Sequence, residues 1–275
     1  MMQDMVQELA KIFMHIVLPT LAGITFFALA KFVKQIMPLR SLVASEQAYK
    51  YAFWGFLMFG FYLILRPLQV LAGPHPWPLI LSCVREFLLI AIFGPASFIA
   101  LMTLCLGTEK INRLWINSLF FMGFLLSVLF CWANVKAVGG SEEIVKFGML
   151  TAYDGLWFKS GNENIEPFIK ILFTIRIFNP GILLLAAASV VLYHGITYPK
   201  AKKQIYDNMP KKLCILSGSV FVYALSITVG SFFYGYKKVP DQWGMYHLGI
   251  LLAGLLETIS ISMPVRSDVQ VSEHG

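Results

Sequence analysis

Leu114-Trp115-Ile116-Asn117-Ser118-Leu119-Phe120-Phe121-Met122-Gly123-Phe124-Leu125-Leu126-Ser127-Val128-Leu129-Phe130-Cys131-Trp132-Ala133-Asn134-Val135 runs between Arg113 and Lys136 without a charged side chain. At about 1.5 Å per helical residue such a run covers the roughly 30 Å hydrocarbon core of a bilayer. Its polarity does not alternate, which sets a transmembrane barrel aside. A helix satisfies its own backbone hydrogen bonds in lipid, so a helix is what the run must form. Comparable apolar runs recur on both sides of it. The reading is therefore an all-α integral membrane protein, one seven-helix transmembrane bundle over residues 1–275. The predicted helices lie at about 6–33, 51–73, 78–107, 114–135, 167–195, 213–233 and 245–263.

Composition agrees. The 275 residues are 57% hydrophobic and 13% charged, against about a quarter charged in soluble domains, and mean hydropathy is +0.69. No polar stretch is long enough for a second, water-soluble domain. The net charge of +7 is absorbed by the positive-inside rule, so nucleic acid is not an expected partner. The acidic start, with Asp4 and Glu8, is unlike a cleaved signal peptide, and the first apolar run is expected to stay in the mature protein.

Orientation follows from Lys and Arg in alternate connections. Lys31, Lys34, Arg40, Lys50, Lys110, Arg113, Lys200, Lys202, Lys203, Lys211, Lys212 and Arg266 fall on one side. Lys146, Lys159, Lys237 and Lys238 fall on the other. The first set is placed in the cytoplasm, giving an outer amino terminus and a cytoplasmic carboxyl terminus. Basic residues inside helices or at their mouths narrow that margin. The long connection, Lys136 to Glu166, is expected to carry a short surface helix over Glu142 to Leu150.

The odd-numbered helices each hold a central proline beside small residues: Leu18-Pro19-Thr20-Leu21-Ala22, Phe93-Gly94-Pro95-Ala96-Ser97 and Phe178-Asn179-Pro180-Gly181. Kinks are expected there. A threefold repeat of helical hairpins plus a seventh helix is one explanation; ordinary tolerance of proline in membrane helices is the other.

Ionisable residues inside membrane helices are costly, so each is a candidate for function. Lys11, Arg66, Arg85, Lys136, Lys170 and Arg176 all fall in the outer half, with only Glu8 and Glu86 against them. Snorkelling to headgroups accounts for Lys136 and Lys170. It accounts less well for Arg85 and Arg176, which lie deeper. The excess of cations calls for an anion, and Arg presents a fork suited to carboxylate or phosphate. The candidate ligand-binding set is Arg66, Arg85, Glu86, Arg176, Lys11, His15, His247, Tyr62 and Trp132, with Phe87 and Tyr246 as further lining. Glu257, alone in the inner half, is either a coupling carboxylate or a hydrogen-bonded structural residue.

Several chemistries are set aside. No lysine lies between Met245 and Met263 for a retinal Schiff base. HExxH, GxSxG, a P-loop and a Rossmann glycine pattern are all lacking, so no catalytic residue and no metal site is expected. His15 and His247 leave a single haem as a minor possibility. Cys83, Cys131, Cys105 and Cys214 are isolated in the sequence and read as small apolar residues, not as disulfides or zinc ligands.

The stretch Arg66-Pro67-Leu68-Gln69-Val70-Leu71-Ala72-Gly73-Pro74-His75-Pro76-Trp77-Pro78, followed by Arg85-Glu86-Phe87, sits in a scaffold that resembles the seven-helix membrane input domains of bacterial sensors. That resemblance implies a receptor in the bacterial cytoplasmic membrane whose state is read by a cytoplasmic output module or partner protein. Only Pro264 to Gly275 follow the last helix, so the expectation is either an excised input domain, or a separate protein that reads the state, or a resemblance that does not extend to the output. The expected function is a sensor or receptor-type domain that binds an anionic amphipathic small molecule or lipid and passes a change inward, possible as a homo-oligomer. A small ion- or proton-coupled transporter or channel is the alternative, and a membrane-embedded haem protein or enzyme the third.

Overall fold

The computed structural model describes residues 2–40, 46–73, 76–106, 112–137, 141–155, 167–197, 208–235 and 244–263. Seven long helices lie among them. Helix α1 (residues 2–40) runs as Met2–Ile12, a π-helical segment Phe13–Val17, and Leu18–Arg40. Helix α2 is Glu46–Leu71. Helix α3 (residues 77–106) comprises Trp77–Glu86, a second π segment Phe87–Phe93, and Gly94–Leu106. Helix α4 is Arg113–Ala137, α5 is Pro167–Ile196, α6 is Met209–Gly235 and α7 is Gly244–Ser262.

Five stretches among the described residues are long and apolar enough to cross a membrane: Gln3–Gln35, Glu46–Leu71, Trp77–Thr103, Arg113–Lys136 and Met209–Gly230. The apolar stretches Gly181–Ile196 and Tyr246–Ser262 are shorter. Large apolar side chains cover the outside of the bundle, such as Leu114, Phe121, Phe124 and Val135 on α4 and Ile182 and Leu183 on α5. A water-soluble surface does not carry apolar area on this scale. The chain is a helical membrane protein, and five crossings are what length and composition establish.

The prolines act locally. Pro19 cannot donate to the carbonyl of His15, nor Pro95 to that of Ala91, and each ring crowds the preceding turn. The π segments Phe13–Val17 and Phe87–Phe93 contain those two carbonyls. A widened turn there separates ring from carbonyl without breaking the helix. Helix α5 continues through Pro180 with no π segment.

Helix contacts run α4–α3–α2–α1–α7–α6–α5, and α5 returns to α3 and α4, so the seven helices close a ring. Small residues bring backbones together, as expected where lipid replaces water as solvent. A Cβ built on Gly23 of α1 would stand 3.2 Å from the Gly60 carbonyl oxygen of α2, and one on Gly123 of α4 would stand 2.6 Å from the Ile90 carbonyl oxygen in the α3 π segment. Interhelical serine hydrogen bonds add to this. On α6, Ser217 donates to the Ala188 carbonyl of α5 at 2.7 Å, and Ser219 to the Ala253 carbonyl of α7 at 2.9 Å.

The middle of the ring is filled by aromatic rings around Phe59. Phe93 stacks on it at 4.3 Å and Tyr62 at 5.4 Å between centroids, while Phe26 and Tyr223 meet it edge-on. Ala22, Leu63, Ile250 and Ala253 complete the core.

The expected surface helix over Glu142 to Leu150 is corrected. Strands β1 (Ser141–Phe147) and β2 (Leu150–Gly155) pair as an antiparallel hairpin, Phe147 opposite Leu150, with an irregularity between Glu143 and Val145. Gly148 takes the turn at φ 59, which glycine adopts without a Cβ penalty. Val145 and Ala152 are buried against Val70, Ile12 and Ile16. The hairpin thus packs on the ends of α1 and α2, over one mouth of the bundle, and alternation rather than helical periodicity meets that requirement.

Candidate functional site

Tyr62, Arg66 and Gln69 are spaced by four and three on α2, so they share one helical face, and that face points inward. Tyr62, Arg66 and Gln69 are all buried, Gln69 completely. Helix α3 adds Arg85 and Glu86, the two residues just before its π segment, and both are buried. Helix α1 contributes His15 from within its π segment, and α7 contributes Tyr246 and His247. Four helices therefore deliver polar side chains to one level of the bundle, between the aromatic core and the hairpin.

The geometry centres on Gln69. Its Oε1 accepts from Arg85 Nη1 at 2.7 Å and from Arg66 Nη1 at 3.4 Å. Arg66 Nη2 meets His15 Nδ1 at 3.1 Å. Arg85 Nε donates to the Tyr62 carbonyl at 3.1 Å, and its guanidinium carbon lies 4.4 Å from the Tyr62 ring centroid, a cation–π arrangement. The Tyr62 and Tyr246 hydroxyls are 3.3 Å apart. His247 packs beside Tyr246 and lies within electrostatic reach of Arg66, Arg85 and His15.

Arg85 Nη2 and Gln69 Nε2 are buried donors in this cluster with no hydrogen-bond partner among the described residues. A buried donor left bare costs about 1–3 kcal/mol, more when charged. Both belong to the pair joined at 2.7 Å. Two guanidinium groups against the single Glu86 carboxylate leave the cluster positive. This arrangement suits an acidic oxygen. No group of three or more metal-ligating side chains occurs among the described residues. For a cofactor, His15 and His247 are the imidazoles at this level, His15 being engaged by Arg66.

The sequence-nominated residues separate into groups. Arg66, Arg85, Glu86, His15, His247 and Tyr62 come together. Lys11 does not join them: its Nζ is 3.6 Å from Glu8 and the side chain is 26% exposed. Trp132 stands apart from the cluster as well. It is 41% exposed on α4, whose inner face carries Phe130, Ala133 and Asn134 instead. The side chains of Arg176 and Lys170 lie outside the described residues, although both positions are in α5. Glu257 is on α7, its Oε2 buried without a hydrogen-bond partner. Ile250 and Ala253, which lie on α7 between His247 and Glu257, are packed into the core.

Gln69 was not nominated from sequence, and Tyr223, Asn134 and the meeting of two cysteines were also missed. For Gln69 the signal was available: it is one turn from Arg66 on an otherwise apolar inner face. For Cys83 and Cys131, 48 residues apart, no spacing rule applies; Cys131 Sγ lies 3.5 Å from the Cys83 carbonyl oxygen.

No family model, curated protein or solved structure matches this chain.

Proposed function

We propose that the chain is a seven-crossing receptor-type membrane domain whose Arg66–Gln69–Arg85 cluster binds the acid group of an anionic amphipathic molecule or lipid. The observation that carries this reading is the shared Gln69 oxygen. It holds two buried guanidinium groups side by side, with Arg85 Nη2 and Gln69 Nε2 bare beside it. Two further crossings are part of the proposal. Helix α5, at 30 residues, exceeds the span of a bilayer, and α7, at 19, reaches about 28 Å. The charge count supports an outer amino terminus and hairpin, and the resemblance to bacterial sensor domains supports a cytoplasmic membrane with a cytoplasmic partner to read the state. A ligand that favours one packing of the ring shifts its population, and π segments adjoining His15 and Arg85 are where the helices have room to adjust.

Thermal denaturation in detergent tests the binding step. Dodecanoate at about a hundred times its Kd contributes roughly 2.7 kcal/mol to the folded state, so it should raise Tm, while dodecanol should not. Equal shifts by acid and alcohol would remove the acid-binding reading. The transporter alternative rests on the bare Glu257 Oε2; the apolar packing of Ile250 and Ala253 works against it, and flux in liposomes is the deciding measurement.

A further inference from the structure

Cys83 on α3 and Cys131 on α4 are free cysteines, both half-buried. Cys131 Sγ is 3.5 Å from the Cys83 carbonyl oxygen. Glu86, one turn beyond Cys83, acts electrostatically on both. Around them Val84, Val128 and Trp132 face outward from the bundle, so the pair lies next to lipid rather than deep in the ring.

We propose that Cys83 and Cys131 are a redox-active dithiol that closes to a disulfide and locks α3 to α4 beside Arg85 and Glu86. Two S–H bonds are lost and one S–S bond forms. Two electrons and two protons leave, and a lipid-soluble two-electron acceptor of the quinone class takes all four to become a quinol. The attacking thiol reacts as a thiolate, its proton passing with the second one to the quinol. This inference goes beyond acid binding and does not depend on it: the thiols meet whether or not the Arg cluster holds a ligand.

The purified full chain is treated with diamide, quenched with acid, unfolded in SDS and labelled with a maleimide-polyethylene glycol. All four cysteines should label before oxidation and only two afterwards, with full recovery on adding dithiothreitol. Peptide mass spectrometry should show a cross-link between the peptides holding Cys83 and Cys131. The Cys83→Ser and Cys131→Ser variants should each keep all three remaining labels after diamide. Four labels on oxidised wild-type protein would overturn the proposal, as would loss of two labels in either variant.

Discussion

Gln69 lends one amide oxygen to two guanidinium groups, and that single sharing makes the cluster sensitive to small changes. Gln69→Leu removes the common acceptor and leaves both cations buried with one partner fewer. A loss of about 1–3 kcal/mol is expected, visible as a lower Tm in detergent; an unchanged Tm would mean that the two arginines do not need the amide. Arg85→Met should behave in the opposite way. It deletes one buried cation, Arg66 still occupies the Gln69 oxygen, and methionine fills similar space. Replacing buried charge by apolar side chains is often neutral or stabilising, so Tm should hold or rise. A marked fall in Tm would recast Arg85 as structural.

At the scale of elements, the π segments and the glycine seat beside one of them define how α3 meets α4. Gly123→Leu would force side-chain atoms into the Ile90 carbonyl, where even a Cβ stands at 2.6 Å. Overpacking of this kind costs typically about 1–3 kcal/mol, so lower yield and a lower Tm are expected, and wild-type stability would contradict the close approach. The helices themselves were legible in the sequence because uncharged runs of bilayer length have one solution in lipid. The inward set Arg66, Arg85 and His15 was legible because buried charge is rare enough to stand out. The β-hairpin was not. Ser141 to Phe147 holds acidic and apolar residues that fit either period, and what decides between them is the packing of Val145 and Ala152 on Val70, Ile12 and Ile16. The π segments were missed for a related reason: proline announces a disturbed turn but not which repair the neighbours permit.

For the whole molecule, the ring of seven helices has a polar level near the hairpin and an aromatic and aliphatic filling beneath it. Orientation is testable at the hairpin tip, where Met149 is fully exposed. A Met149→Cys variant in intact cells should react with a membrane-impermeant maleimide; reaction only after permeabilisation would invert the topology. The proposed ligand of the positive level is an acid. The direct measurement is equilibrium binding of radiolabelled dodecanoate to the protein in nanodiscs, wild-type beside Arg85→Met. Saturable binding to wild-type protein is predicted, weakened at least tenfold in the variant, which corresponds to about 1.4 kcal/mol. Absence of saturable binding, or equal affinity in both proteins, would contradict it.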